Sequence, residues 1–190
     1  MSDFDINTRN GLPPELAQML PDLPRPEWPA HHAYDGLAGH WLDIHGGLKK
    51  LGKTVLSDCE QALDKRMDPM AHANRVGQLG NMLLNHLHTH HQIEDHVLFP
   101  RLDALDPTFR RGFDMLETDH TVLDALLNDF AGTANDVLRQ AGEGPKDWPT
   151  VIDPLHQILV RLDGFLDRHL ADEEDLVIPL TLKHEIMDMG

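Results

Sequence analysis

Two stretches decide the fold: HHQIEDHVLFP, residues His90–Pro100, and HLADEEDLVIP, residues His169–Pro179. They align without gaps at an offset of 79 residues. His90 falls on His169, Glu94 on Glu173 and Pro100 on Pro179. An acidic residue, Asp95 or Glu174, follows each glutamate, and apolar residues precede each proline. A histidine and a glutamate four apart on a helix project from the same face. Each stretch therefore delivers an imidazole nitrogen and a carboxylate to one point.

Working outward, apolar residues recur at the helical period. Leu37, Trp41, Ile44, Leu48, Leu51 and Val55 form one stripe. Val76, Leu79, Leu83, Leu87, Ile93 and Val97 form a second, opened by Asp68-Pro69 as N-cap and first helical residue and meeting Pro100. Phe109, Phe113, Leu116, Leu123 and Leu127 form a third, opened by Asp106-Pro107 and ended by Gly142 and Gly144. Leu155, Leu159, Leu162, Leu166 and Leu176 form a fourth, which starts between Asp147 and Pro154 and runs to Pro179. Strand signals are absent. Four amphipathic helices with short connections predict an all-α fold, an antiparallel up-down-up-down four-helix bundle over residues 31–190. Six of the 13 prolines lie in the first 30 residues, a density no helix tolerates. Residues 1–30 are expected to form a Pro-rich N-terminal arm. Leu12, Leu16, Met19, Leu20, Leu23 and Trp28 either pin it to the domain or leave it a loose tail.

The other two helices each place one histidine on the inward stripe: His45 between Trp41 and Leu48, and His120 between Leu116 and Leu123. From His45 to the end of its helix is roughly 21 residues, about 32 Å at 1.5 Å per residue. The matching runs Asp68 to His90, His120 to Gly142 and Asp147 to His169 are about 22 residues each. In an antiparallel bundle these equal runs bring His45, His90, His120 and His169 to one level, together with Glu94 and Glu173. Core packing does not require that match. Four neutral imidazoles and two carboxylates suit iron foremost, with manganese or zinc as alternatives. The two glutamates, each able to bridge a pair of ions, would leave positions free for a small ligand.

The remaining histidines are read against this frame. His45 is preferred to His40, which lies five residues earlier. His31, His32, His72, His88, His91, His96, His156 and His184 are expected mostly at the surface; His91 is about 100° around the helix from His90. His86, one turn before His90, is a candidate fifth nitrogen. Glu117, three before His120, is a weaker candidate. Asp95 and Glu174 are expected as solvated or outer-shell groups.

Composition narrows the function. Lys and Arg number 16 against 32 Asp and Glu, for a net charge of −16. So acidic a chain repels phosphate backbones, and no nucleic-acid partner is expected. The single cysteine, Cys59, excludes an internal disulfide framework. The start Met1-Ser2-Asp3-Phe4-Asp5 lacks a basic signal region, and no apolar run approaches the ~20 residues of a membrane span. A cytoplasmic location without membrane attachment is the expectation. Fourteen histidines stand against one tyrosine; histidine is a good metal ligand, but composition alone does not decide its use.

The pattern of His45, then His90 with Glu94, then His120, then His169 with Glu173 resembles the hemerythrin-like, or HHE cation-binding, domains over roughly residues 36–185. Leu98-Phe99-Pro100 and Thr118-Asp119-His120 are similar to the family as well. The resemblance implies a four-helix bundle around a non-heme diiron centre, two iron ions joined by an oxo or hydroxo bridge, and oxygen-linked chemistry. Oxygen-carrying hemerythrins use two histidines four apart on the third helix; here Leu116 and Asp124 occupy the positions four from His120. The expected function is binding of dioxygen, peroxide or nitric oxide in sensing, detoxification or iron handling. The competing readings are a catalase- or peroxidase-like diiron oxidoreductase and a metal-free structural bundle. The partner is a small diatomic or peroxide ligand, and a homodimer is compatible with the sequence.

Overall fold

The computed structural model describes residues 4–144 and 147–189; residues 1–3 of the expected arm and Gly190 of the expected domain lie outside the described residues. Among the described residues there is no strand. Helix α1 spans Leu37–Leu63. A second helical run passes from α2 (Pro69–Arg75) through α3 (Asn81–Ile93) to α4 (Phe99–Leu105), with π-helical turns at Val76–Gly80 and Glu94–Leu98. Helices α5 (Arg110–Glu143) and α6 (Trp148–Lys183) follow.

The starts follow capping chemistry. Asp68 Oδ1 accepts from the backbone N–H of Met70 and Ala71 at 3.0 and 3.1 Å, with Pro69 at the first helical position. Asp106 caps a short 3₁₀ turn, Pro107–Phe109, that leads into α5. Gly144, at φ +69°, follows the end of α5. Two expected stops are not stops. Pro100 lies inside α4, where the π-turn before it lets Phe99 N–H reach back to the Glu94 carbonyl and absorbs the missing donor. Pro179 lies inside α6, which continues to Lys183. An interior proline costs about 3 kcal/mol. The buried Ile178, Leu180 and Leu182 offset that at roughly 1.5–3 kcal/mol each.

The described residues fall into two compact units. The first lies within Met1–Gly47, His90–Thr121 and Phe165–Gly190. Its core includes Leu16, Trp28, Trp41, Phe99, Phe113, Leu116 and Leu176. Residues 4–36 form turns and a 3₁₀ helix, Arg25–Ala30, rather than an extended segment. Leu16 and Trp28 are buried in this core, and Leu12, Met19, Leu20 and Leu23 pack against it, so these residues are pinned. Gly112 on α5 lies so close to α6 that a Cβ there would meet the Leu176 side chain at 2.5 Å.

The second unit comprises Leu48–Thr89 and Val122–Gly164. Val55, Cys59, Val76, Phe130, Val137, Ile152, Leu155 and Leu159 fill its core. Burial, then the charges of Asp58 and Glu60, push the Cys59 thiol up to about 12, so it is an inert packing residue. His72 is fully buried, contrary to its expected surface position. Its Nε2 lies 3.2 Å from Cys59 Sγ, and burial lowers its pKa and keeps it neutral.

Candidate metal centre

His45 on α1, His90 on α3, Glu94 at the start of the second π-turn, His120 on α5, and His169 and Glu173 on α6 all belong to the first unit, and the structure brings all six together. None is more than 4% exposed. His40 and His86 are exposed, and neither joins the cluster. Glu117 is exposed too; it lines a surface groove of about 270 Å³ with Asp103, Arg110 and Asp114.

One residue expected at the surface sits in the centre. His91 is only 4% exposed. Its ring stacks on His120 at 4.3 Å between centroids and meets His169 edge-on at 5.9 Å. A single point of convergence would leave His91 outside the site. The donors instead form two groups, each with its donor atoms within 4.8 Å of one another: His45, His90, Glu94 and Glu173; and His91, Glu94, His120 and His169. Two adjacent histidines about 100° apart on a helix can each serve a different group. His32, His88 and His96 are exposed as expected, and His31, His156 and His184 partly so.

The hydrogen-bond chemistry of the imidazoles is directional. His120 Nδ1 lies 2.8 Å from Asp95 Oδ1, His169 Nδ1 3.1 Å from Asp119 Oδ2, and His45 Nδ1 3.2 Å from Glu174 Oε1. An ionised carboxylate only accepts, so each Nδ1 carries the proton. Each Nε2 then presents a lone pair inward. His120 Nε2 faces His169 Nε2 at 3.2 Å, and His45 Nε2 faces His90 Nε2 at 3.1 Å. In the His120–His169 pair both Nδ1 atoms carry the proton, and two bare Nε2 lone pairs at that distance repel unless a proton or a metal cation sits on them. Protons on the facing pairs leave other atoms unserved. Both oxygens of Glu94 and Oε2 of Glu173 meet only imidazole Nε2 atoms, at 2.9–3.3 Å and without hydrogen-bond geometry, and Nδ1 of His90 and both ring nitrogens of His91 are buried without a partner, an arrangement buried polar groups avoid. A cation in each group would satisfy the Glu94 oxygens, Glu173 Oε2 and one nitrogen of His91.

Without metal, the electrostatics divide the imidazoles. Burial, then the neighbouring His120, His169 and His90, hold His91 far below its usual pKa, in the neutral form that ligates metal. Burial opposes charge on His45 and His120 too, but the carboxylates of Glu173 and Glu174, and of Asp95 and Glu94, raise both to about 10. Burial would raise Glu173, but the adjacent imidazoles of His45 and His90 hold it well below the usual carboxylate range.

The two glutamates differ. Glu94 belongs to both groups, with Oε1 2.9 Å from His90 Nε2 and Oε2 3.3 Å from His120 Nε2. Glu173 belongs to one group; its Oε1 accepts from the Trp41 indole N–H at 2.6 Å.

A model of the hemerythrin HHE cation binding domain matches residues 37–180. The chain belongs to this family. No curated protein and no solved structure matches it. The hemerythrin HHE match contains every donor of both groups and leaves out residues 4–36. It is a cation-binding domain, and its buried His/Glu clusters fit a metal site.

The sequence reading missed His91 and the use of Asp119. A signal for Asp119 was present in Thr118-Asp119-His120. It precedes the α5 histidine yet bonds the α6 one, a pairing that depends on tertiary contact. Asp95 and Glu174 lie in the outer shell, against His120 and His45.

Proposed function

We propose that this chain is an antiparallel four-helix bundle holding two iron ions, and that it binds dioxygen, peroxide or nitric oxide in the cytoplasm. His45, His90, Glu94 and Glu173 hold one ion; His91, Glu94, His120 and His169 hold the other. Glu94, common to both groups, would serve both ions, and Glu173 would serve one. The observation that carries this reading is the pair of facing imidazoles, each backed on Nδ1 by a carboxylate, around a glutamate with two unpartnered oxygens. Neutral imidazole and carboxylate donors are the set non-heme iron takes.

Bound iron supplies electrophilic, redox-active positions for the small ligand. Five imidazoles and two glutamates would hold the ions, and the small ligand would take positions these residues leave. The chain's own residues do the rest. Asp95, Asp119 and Glu174 fix the ring orientations and keep the imidazole protons on Nδ1. Trp41, Phe99 and Leu116 keep the surroundings dry.

The test is an optical titration of iron-loaded protein with azide, followed by steady-state peroxide consumption. A saturable azide-dependent band supports an open iron pair, and its absence contradicts it. Slow peroxide loss, no faster than with free iron, supports a binding protein; sustained turnover assigns the oxidoreductase reading.

A further inference from the structure

The first 36 residues precede the family match, yet two of their arginines reach the shell of the centre. Arg9 is 8% exposed. Its Nε donates to Asp172 Oδ2 at 2.7 Å, and its Nη1 donates to Asp119 Oδ1 at 2.9 Å and to the Phe4 carbonyl at 2.8 Å. Its Nη2 donates to the second oxygen of Asp119, the one that accepts from His169 Nδ1. Arg25 does the same for the other group. Its Nη1 donates to Glu174 Oε2 at 2.7 Å, while Glu174 Oε1 faces His45 Nδ1. Its Nε and Nη2 hold Asp175 Oδ1 at 2.6 Å and the Ala171 carbonyl at 2.7 Å.

One N-terminal segment thus sends one guanidinium toward each ligand group: Arg9 through Asp119 to His169, and Arg25 through Glu174 to His45. The apolar contacts of the segment, with Leu16 and Trp28 buried, cover the core without either arginine. Burying an arginine against two aspartates is costly unless geometry is fully satisfied, and here one of the two, Asp119, holds the His169 ring while the other, Asp172, also accepts from Arg168.

Resting on the metal reading above, we propose that residues 4–30 are a clamp on the metal centre, with Arg9 and Arg25 as positioning residues. Each arginine fixes the rotation of a carboxylate, and that carboxylate fixes an imidazole. Docking of the segment and retention of metal are then one coupled equilibrium. What the docked segment adds to metal retention, bound metal adds to docking.

The test uses full-length iron-loaded protein carrying Arg25→Met, Arg25→Lys or Arg9→Met. Iron transfer to a chelator is timed, ⁵⁷Fe Mössbauer spectra are recorded, and chymotryptic cleavage within residues 4–30 is followed with and without iron. Arg25→Met should release iron about 10–100-fold faster, the scale set by loss of an outer partner, and shift one of two quadrupole doublets. Arg25→Lys should fall between it and the wild type. Arg9→Met should shift the other doublet. Wild-type protein should be cut faster in the segment without iron. Arg25 is partly exposed, so its replacement leaves the fold intact and the test stands even where Arg9→Met does not fold. Wild-type release rates and spectra in Arg25→Met, or equal cleavage with and without iron, overturn the clamp alone. A wild-type chain that takes up no iron overturns the metal reading, and the clamp with it.

Discussion

The two units are both helical and bury very different chemistry. Of the fourteen polar or charged residues buried among the described residues, twelve lie in the first unit. The second holds only Asp58 and His72, the one paired with Arg75 and the other with Cys59. The second unit satisfies itself with Phe130, Val137, Ile152, Leu155 and Leu159. The first gathers histidines and carboxylates that protein partners alone leave unserved. The second unit is therefore stabilised by burial of apolar area, while the first holds buried donors that fit a metal site.

The largest effect expected is from Glu94→Ala, because Glu94 is shared by both groups. It should lose most of both ions. Amide exchange should then rise in residues 90–98, 116–121 and 166–174, with residues 126–137 and 152–159 little changed. Equal deprotection in both units would erase the contrast drawn here. The converse substitution is Phe130→Ala in the second unit. It should cost about 3–5 kcal/mol in denaturant unfolding and leave the number of ions per folded chain unchanged.

His91→Ala sharpens the comparison within the first unit. It should weaken the group with His120 and His169 and spare the other, so that roughly half the metal is lost. The exposed His88, three residues earlier, should be replaceable by alanine with no change in metal content. Full retention in His91→Ala would return that ring to a packing role.

The smallest effects come from titration. Burial would raise Asp119, but hydrogen bonds from Arg9 and His169 hold it below the usual carboxylate range. Its contribution to stability is therefore present above pH ~4 and lost as pH falls through the lower folded value. His45 and His120 run the other way. Raised to about 10 without metal, they stabilise the metal-free fold below pH ~6.5 and lose that contribution as pH rises through 10. Metal must displace those protons. Loading at pH 7 in weak buffer should release acid measurably, and uptake should weaken as pH falls. Proton-neutral loading would contradict the placement of metal on His45 and His120.

Helix positions, N-caps and the six inward donors were legible because each rests on local rules: the 3.6-residue period, Asp-Pro starts and the four-residue spacing of His90 with Glu94. The rest was hidden for physical reasons. His91 was lost because a rule about one direction of projection does not foresee two groups flanking a helix. Pro100 and Pro179 read as stops because a π-turn and a buried apolar tail leave no local signature. Arg9 could not be tied to Asp119, 110 residues away, by any pattern in the chain.

The central claim is that the first unit is completed by two cations. Metal quantification on protein grown in iron-rich medium and purified without chelator tests it most directly. The account predicts roughly two irons per chain, one for each donor group. Less than about half an ion of any metal per chain, in protein that melts at the same temperature with and without chelator, would contradict it.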